Sequence, residues 1–256
     1  MDPEYQKNEF TKYITELAIR STNNVIDSPK VTKGNNWHLL DAKGKYIQSS
    51  MDVYTRLVQV LDQLSYIPAF LSQYPDKRHL DRNNINELAY LQYHLEVHVH
   101  KVHTVLELMR LLINEIYQYG IPEKECIWET LRKQPGMKGS LIEKILNYYY
   151  KSFKTAIEIR HYNTHRGHFK DSGISDLSGI LLIYEQGKKL NMDVSRFEEV
   201  YPRFLLKYKL RELRKRRAET VKDLNTSIFD IINKFTTALL PEFQRRISEF
   251  DSVVQK

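Results

Sequence analysis

Apolar residues recur every seven positions between Asn83 and Tyr119, and this regularity constrains the chain more than any other feature. Leu88, Leu95, Val102, Met109 and Ile116 form one row, and Leu91, Val105 and Leu112 form a second three positions on. Val99, Leu106 and Ile113 widen the stripe. Three rows exceed the two-row seam of a coiled coil and suit a helix with several neighbours in a bundle. Unbroken, such a helix is ~55 Å long at ~1.5 Å per residue. Gly120-Ile121-Pro122 then stops it and permits a restart.

The rest of the chain is patterned the same way. Val53, Leu57, Val60, Leu61 and Leu64 share a face of a helix that begins near Met51 and is closed by Tyr74-Pro75. Ser140 opens a segment with Leu141, Ile142, Ile145, Leu146, Tyr149, Phe153 and Ile157 at helical spacing. A short helix over Leu177–Leu190 follows. A terminal one over Thr220–Phe250 carries Leu224, Ile228, Ile231, Ile232, Phe235, Leu239 and Leu240, with a kink expected at Pro241. The fold class expected is mainly α, an up-and-down helical bundle over residues 51–256 with a C-terminal helical extension. Residues 1–50 read as an N-terminal appendage. Within them Glu4–Arg20 has helical spacing, and Trp37–Leu40 and Lys45–Gln48, flanking D-A-K-G, admit a short β-hairpin with Gly44 in its turn.

A single cysteine, Cys126, rules out an intramolecular disulfide framework and favours a reducing compartment. The start, M-D-P-E-Y-Q-K, has no basic residue leading into an apolar run, and no stretch approaches the ~18 apolar residues of a spanning helix. The expectation is a cytoplasmic protein with no membrane contact. Walker, G-x-G-x-x-G, C-x-x-C, H-E-x-x-H and G-x-S-x-G patterns are missing from the sequence. Their absence removes most nucleotide-hydrolysing, dinucleotide, zinc-protease and serine-hydrolase readings, and no cofactor is expected.

Chemistry-bearing residues concentrate in Lys154–Phe169. Arg160, His161, Asn163, His165, Arg166 and His168 follow directly on Ile157 and Ile159. Arginine grips phosphate oxygens with a planar fork, and histidine moves protons near neutral pH. The pair is what phosphodiester chemistry requires. The bland alternative is a solvated basic helix end, which the macrodipole favours in any case. On one regular helix Arg160 and His165 stand ~140° apart, at ~100° per residue. Either the arginine's length and a distorted last turn close that gap, or two copies of the chain build one cleft. His161 and His165, at i and i+4, share a face.

Arg160-His161-x-x-x-His165 resembles the R-[N/D/H]-x-x-x-H signature of the HEPN superfamily, compact helical proteins of which many are metal-independent RNases. The resemblance spans roughly Asn83–Tyr184 and implies a long helix packed on the motif helix, with a cleft commonly completed by dimerisation. It implies that Arg160 binds phosphate, His165 is the acid/base residue and His161 takes the variable polar position. The toxin branch whose motif continues R-x4-H-x-Y would need tyrosine at 167, where this chain has Gly167.

Two further groups bear on function. His98 takes a d position in the long stripe, with His94 and Lys101 beside it. Three readings stay open for them: a buried, hydrogen-bonded histidine, a wall of the Arg160 site, or a metal pair at i, i+4. No carboxylate or cysteine cluster completes a metal site, so no metal is expected. His100 and His103 read as outer-face residues. Downstream, Lys207–Arg217 sets seven cations against Glu212, a local +6 in a chain of net +7. Leu206, Leu210 and Leu213 mark its packing face, and the basic side, with Lys207, Arg211, Arg214, Lys215 and Arg217, reads as a footprint for nucleic acid joined by Arg166.

The function expected is metal-independent RNA cleavage by Arg160 and His165, with RNA and a second copy of the chain as partners. The alternative is a non-catalytic helical module that binds RNA or a partner protein, such as an antitoxin, in a bacterial defence or toxin–antitoxin system.

Overall fold

The computed structural model of the chain describes residues 6–26, 29–33, 36–75, 80, 82–83, 85–166 and 171–254, the side chains of 161–166 and 253–254 apart. All regular structure among them is helical. The helices are α1 (Glu9–Ile26), α2 (Ala42–Ser72), α3 (Glu87–Tyr117), α4 (Trp128–Leu131), α5 (Leu141–Ser152), α6 (Lys154–Arg166), α7 (Ser172–Lys189), α8 (Ser195–Val200) and α9 (Arg203–Val254). None is long and apolar enough to cross a membrane.

The chain divides into two compact units. The first takes Met1–Asp62, Thr104–Phe153 and Thr226–Lys256, and the second takes Gln63–His103 and Lys154–Asn225. Helices α2, α3 and α9 contribute residues to both.

The first unit is held by aromatic rings. Phe10 on α1 meets Tyr54 edge-on at 5.3 Å between centroids and Phe243 at 5.6 Å, and Tyr46 lies between Phe243 (5.5 Å) and Phe250 (5.4 Å). These offset and edge-on geometries suit the ring quadrupole. Phe10, Ile14 and Ala18, at i, i+4 and i+8, are the buried face of α1. Asn8 starts that helix by accepting the Thr11 N–H at 2.9 Å, and its amide donates to Thr236 on α9 at 2.7 Å. The Tyr46 hydroxyl donates to the Ile116 carbonyl at 3.0 Å, and Arg246 donates to the Tyr117 carbonyl at 2.9 Å, so two orphan carbonyls at the end of α3 are satisfied. Cys126 is buried there, its thiol against the Arg110 carbonyl at 3.5 Å, and burial pushes its pKa up to about 11.

The stripe seen in the sequence is the buried side of α3: all eleven of its members are core residues. The helix begins at Glu87, later than Asn83, because the Asn86 side chain caps it by accepting the Ala89 N–H at 2.8 Å. His100 is exposed, but His103 is buried, contrary to its outer-face reading. Buried positions at 102, 103, 105, 106, 108 and 109 wrap most of the circumference, as they do on a helix surrounded on several sides.

The admitted hairpin is not formed. Trp37–Leu39 is a single 3-10 turn, and α2 starts at Ala42. The D-A-K-G stretch that resembles a turn is a helix start: the Asp41 carboxylate accepts the Gly44 N–H at 2.6 Å, and the Asp41 carbonyl accepts from Lys45 at 2.9 Å. Gly44 is small because a Cβ there would lie 2.8 Å from Ser21 Oγ on α1. The basic segment and the terminal helix also merge into one, since no glycine or proline interrupts 203–240 and α9 continues through Pro241.

Truncating the ring at the centre of the first unit should be costly. Phe10→Ala is expected to lower stability by about 3–5 kcal/mol, read as a shift of the urea midpoint at constant m-value.

Candidate functional site

The motif helix is an independent element. α5 opens with an N-cap, in which Ser140 accepts the Glu143 N–H at 3.0 Å while the Glu143 carboxylate accepts the Gly139 N–H, and it ends where Phe153 turns inward at φ −112°, ψ 17° against the ring of Tyr149. Lys154 then begins α6. Arg160, His161, His165 and Arg166 all fall on α6, with His165 next to its last residue. Ile157 is buried, and Ile159 and Arg160 are half-buried. The side chains of His161, His165 and Arg166 lie outside the described residues. The helical backbone keeps Arg160 and His165 ~140° apart in azimuth.

Of the α3 histidines, His98 is buried and its Nε2 lies 2.9 Å from the Asn225 side-chain oxygen. The Asn225 amide nitrogen donates to the Leu64 carbonyl at 2.7 Å, which fixes the amide orientation and makes the oxygen the acceptor. His98 therefore carries its proton on Nε2. Burial holds its pKa below the usual range, with the Asn225 hydrogen bond working the other way. His94 sits elsewhere, stacked on Phe70 at 5.1 Å and edge-on to Tyr90 at 4.4 Å, and desolvation lowers its pKa as well. Lys101 is half-exposed. Among the described residues no three His, Cys, Asp or Glu side chains converge as a metal site would need.

The basic run on α9 separates by helix phase. Leu206, Leu210 and Leu213 are buried, and Arg214 and Arg217, each four residues past one of those leucines, follow them inward. Arg214 donates to Glu87 at 2.6 Å, and Arg217 pairs with Asp171 at 2.9 Å. Asp171 also caps α7 through the Ile174 N–H at 3.1 Å. Lys207, Arg211 and Lys215, at i, i+4 and i+8, are exposed. Arg211, Lys215, Lys222 and one carboxylate, Glu219, line a cleft of about 400 Å³ together with Pro68 and Ser72 of α2. Two exposed rings, Phe204 and Tyr208, stand on the same helix. They were not among the sequence candidates, although their i, i+4 spacing beside Lys207 and Arg211 was a signal.

A family model described as Cthe2314-like HEPN matches residues 46–181, more than half of the chain. The chain belongs to the HEPN superfamily. The HEPN segment runs from α2 into α7, contains Arg160–Arg166 and stops before α9. No curated protein and no solved structure matches the chain.

The setting of His98 has a pH consequence. A histidine kept neutral in the folded state but free to protonate in the unfolded chain makes the unfolded state bind more protons below about pH 6.5, so stability falls as the pH falls there. Urea midpoints should drop between pH 7.5 and 5.5, and His98→Gln, which keeps a donor for Asn225, should drop less. An equal drop in both proteins would mean that His98 is not held neutral.

Proposed function

We propose that this HEPN chain is a metal-independent endoribonuclease. The observation that carries the reading is the uninterrupted Arg160-His161-x-x-x-His165 signature on one helix, inside the segment that matches the family. In the reaction a ribose 2′-oxygen attacks the adjacent phosphorus. The bond from phosphorus to the 5′-oxygen breaks, leaving a 2′,3′-cyclic phosphate and a free 5′-hydroxyl. His165, with His161 or the same residue of a second copy, takes the 2′-proton and supplies one to the leaving oxygen. Arg160 offsets charge on the phosphoryl oxygens. The ~140° separation supports a second copy at the site, because two motif helices facing across a two-fold axis bring two arginines and two histidines together.

Arg160→Ala and His165→Ala should each leave the fold intact and reduce cleavage of a labelled RNA in EDTA. The expected losses are about 10²–10³ for the arginine and about 10²–10⁴ for the histidine. If the cleft is composite, with each half-site supplied by different copies, a mixture of the two variants should regain part of the activity. A metal requirement, or cleavage at a 2′-deoxy residue, would sink the mechanism. Binding without cleavage would leave a non-catalytic RNA-binding module.

Affinity without chemistry is assigned to the outward cations of α9. Replacing Lys207, Arg211 and Lys215 with glutamine should weaken RNA binding and flatten the slope of log K against log salt by about 0.7 for each phosphate no longer neutralised. Arg214→Gln should instead lower stability, since it strands Glu87 without its partner.

A further inference from the structure

The outward face of α9 carries two rings that phosphate neutralisation does not need. With Phe204 set at 0° and ~100° per residue, Tyr208 falls at ~40°, Arg211 at ~−20°, Lys215 at ~20°, Lys207 at ~−60° and Lys222 back near 0°. One sector about 100° wide thus holds all six, while Leu206, Leu210 and Leu213 occupy the opposite, buried side. Phe204 is 75% exposed and Tyr208 61% exposed. Among the described residues neither ring, and none of Lys207, Arg211 and Lys215, has a hydrogen-bonding, ionic or ring partner. The cleft beside Arg211 and Lys215 continues the same line toward Lys222.

We propose that this face of α9, from Phe204 to Lys222, holds a single strand of RNA, with bases stacked on Phe204 and Tyr208 and phosphates on Lys207, Arg211 and Lys215. Rings on a helix at i and i+4 are close neighbours, and each here is flanked by cations one helical turn away. A strand with exposed bases offers an aromatic face and a negative charge in every nucleotide, which is the complement of that alternation. A duplex hides its base faces and can answer only the cations. A second copy of the chain would set cation against cation. An anionic membrane is the other surface that takes rings and cations together, but it calls for an unbroken apolar face, and charge interrupts this one. The sector is ~27 Å long at ~1.5 Å per residue, enough for several nucleotides. It lies outside the segment that matches the HEPN family, so it adds a strand-holding surface to the fold rather than repeating its motif. The proposal rests on RNA being the ligand and is independent of whether Arg160 and His165 cut it.

The test uses the full-length chain and a fluorescein-labelled 2′-O-methyl oligouridylate of twelve nucleotides, which cannot be cleaved through its blocked 2′-oxygens. Anisotropy titrations should show Phe204→Ala and Tyr208→Ala each weakening binding by roughly 5- to 150-fold, the range for removal of one base stack. The salt slope should stay unchanged, because every phosphate keeps its cation. Phe204→Tyr and Tyr208→Phe should bind like the wild type, and a strand of the same length with abasic sites should bind more weakly than the base-bearing one. Both variant sites are exposed, and circular dichroism should confirm the fold. Equal affinity of the ring-deleted and wild-type chains, or of abasic and base-bearing strands, would overturn the stacking and leave cleavage untouched. No binding of the oligonucleotide, with phosphatidylserine vesicles bound through the same two rings, would overturn it in favour of a membrane surface. Loss of cleavage in EDTA with ring-dependent binding intact would sink the nuclease reading alone.

Discussion

The side chain of Asn225 settles the interior of the second unit. Its amide donates to the backbone of α2 at Leu64 and accepts from His98 of α3, so one buried residue of α9 joins three helices. A buried amide left half-satisfied costs about 1–3 kcal/mol, whereas a slide of apolar side chains past one another costs little until packing is lost. The hydrogen bonds therefore specify register where leucines alone would tolerate slippage. Once Asn225 is docked, the phase of α9 upstream follows at ~100° per residue. Leu213 and Leu210 point inward, Arg217 and Arg214 reach Asp171 and Glu87, and the remaining cations are turned out.

That phase divides one basic run into two sets. Ion pairs to Glu87 and Asp171 place negative charge at the first turns of α3 and α7, where the macrodipoles favour it, and each carboxylate is held by an arginine of α9. Such pairs are retained for geometry more than for net stability, since desolvation consumes much of the Coulombic gain. The cations left outside are then rigidly spaced on a helix with few neighbours. Regular spacing at low conformational cost is what a polyanion rewards.

The α3 stripe was legible because a period of seven survives any ambiguity about helix ends, and every residue in it is buried. Its beginning was less so. Asn83, Asn84 and Asn86 are equivalent caps in sequence, and only the hydrogen bond from the Ala89 N–H chooses among them. D-A-K-G misled because aspartate with a nearby glycine reads as a turn and as a helix start alike, and the close approach of Ser21 that requires the glycine is a tertiary fact. The inward turn of Arg214 and Arg217 was recoverable from their spacing to Leu210 and Leu213, but composition drew attention to charge before phase. The exposure of Phe204 and Tyr208 was recoverable in the same way, from their phase opposite Leu206, Leu210 and Leu213, but aromatic residues in a helical pattern are more often core and so drew no attention. The motif on α6 was legible as a signature only, because short spacing names residues without saying how their side chains meet.

Charge also restricts how two copies of the chain could meet. A two-fold assembly that brings α6 against its mate concentrates Arg160 and Arg166 in one cleft, and an anionic strand is what would relieve that repulsion. The α9 face obeys the opposite rule. Lys207, Arg211 and Lys215 share one sector with only Glu219 at its edge, so pairing that face with itself sets three cations against three at close range. At an effective dielectric of about 20, each unit pair at 4 Å costs about 4 kcal/mol, which opposes the burial of the four rings, two from each copy. A two-fold assembly built on the motif helices would gain nothing by pairing the α9 faces. On the proposed reading, chemistry and strand-holding would then sit on separate surfaces, one completed by association and the other kept from self-pairing by its charge.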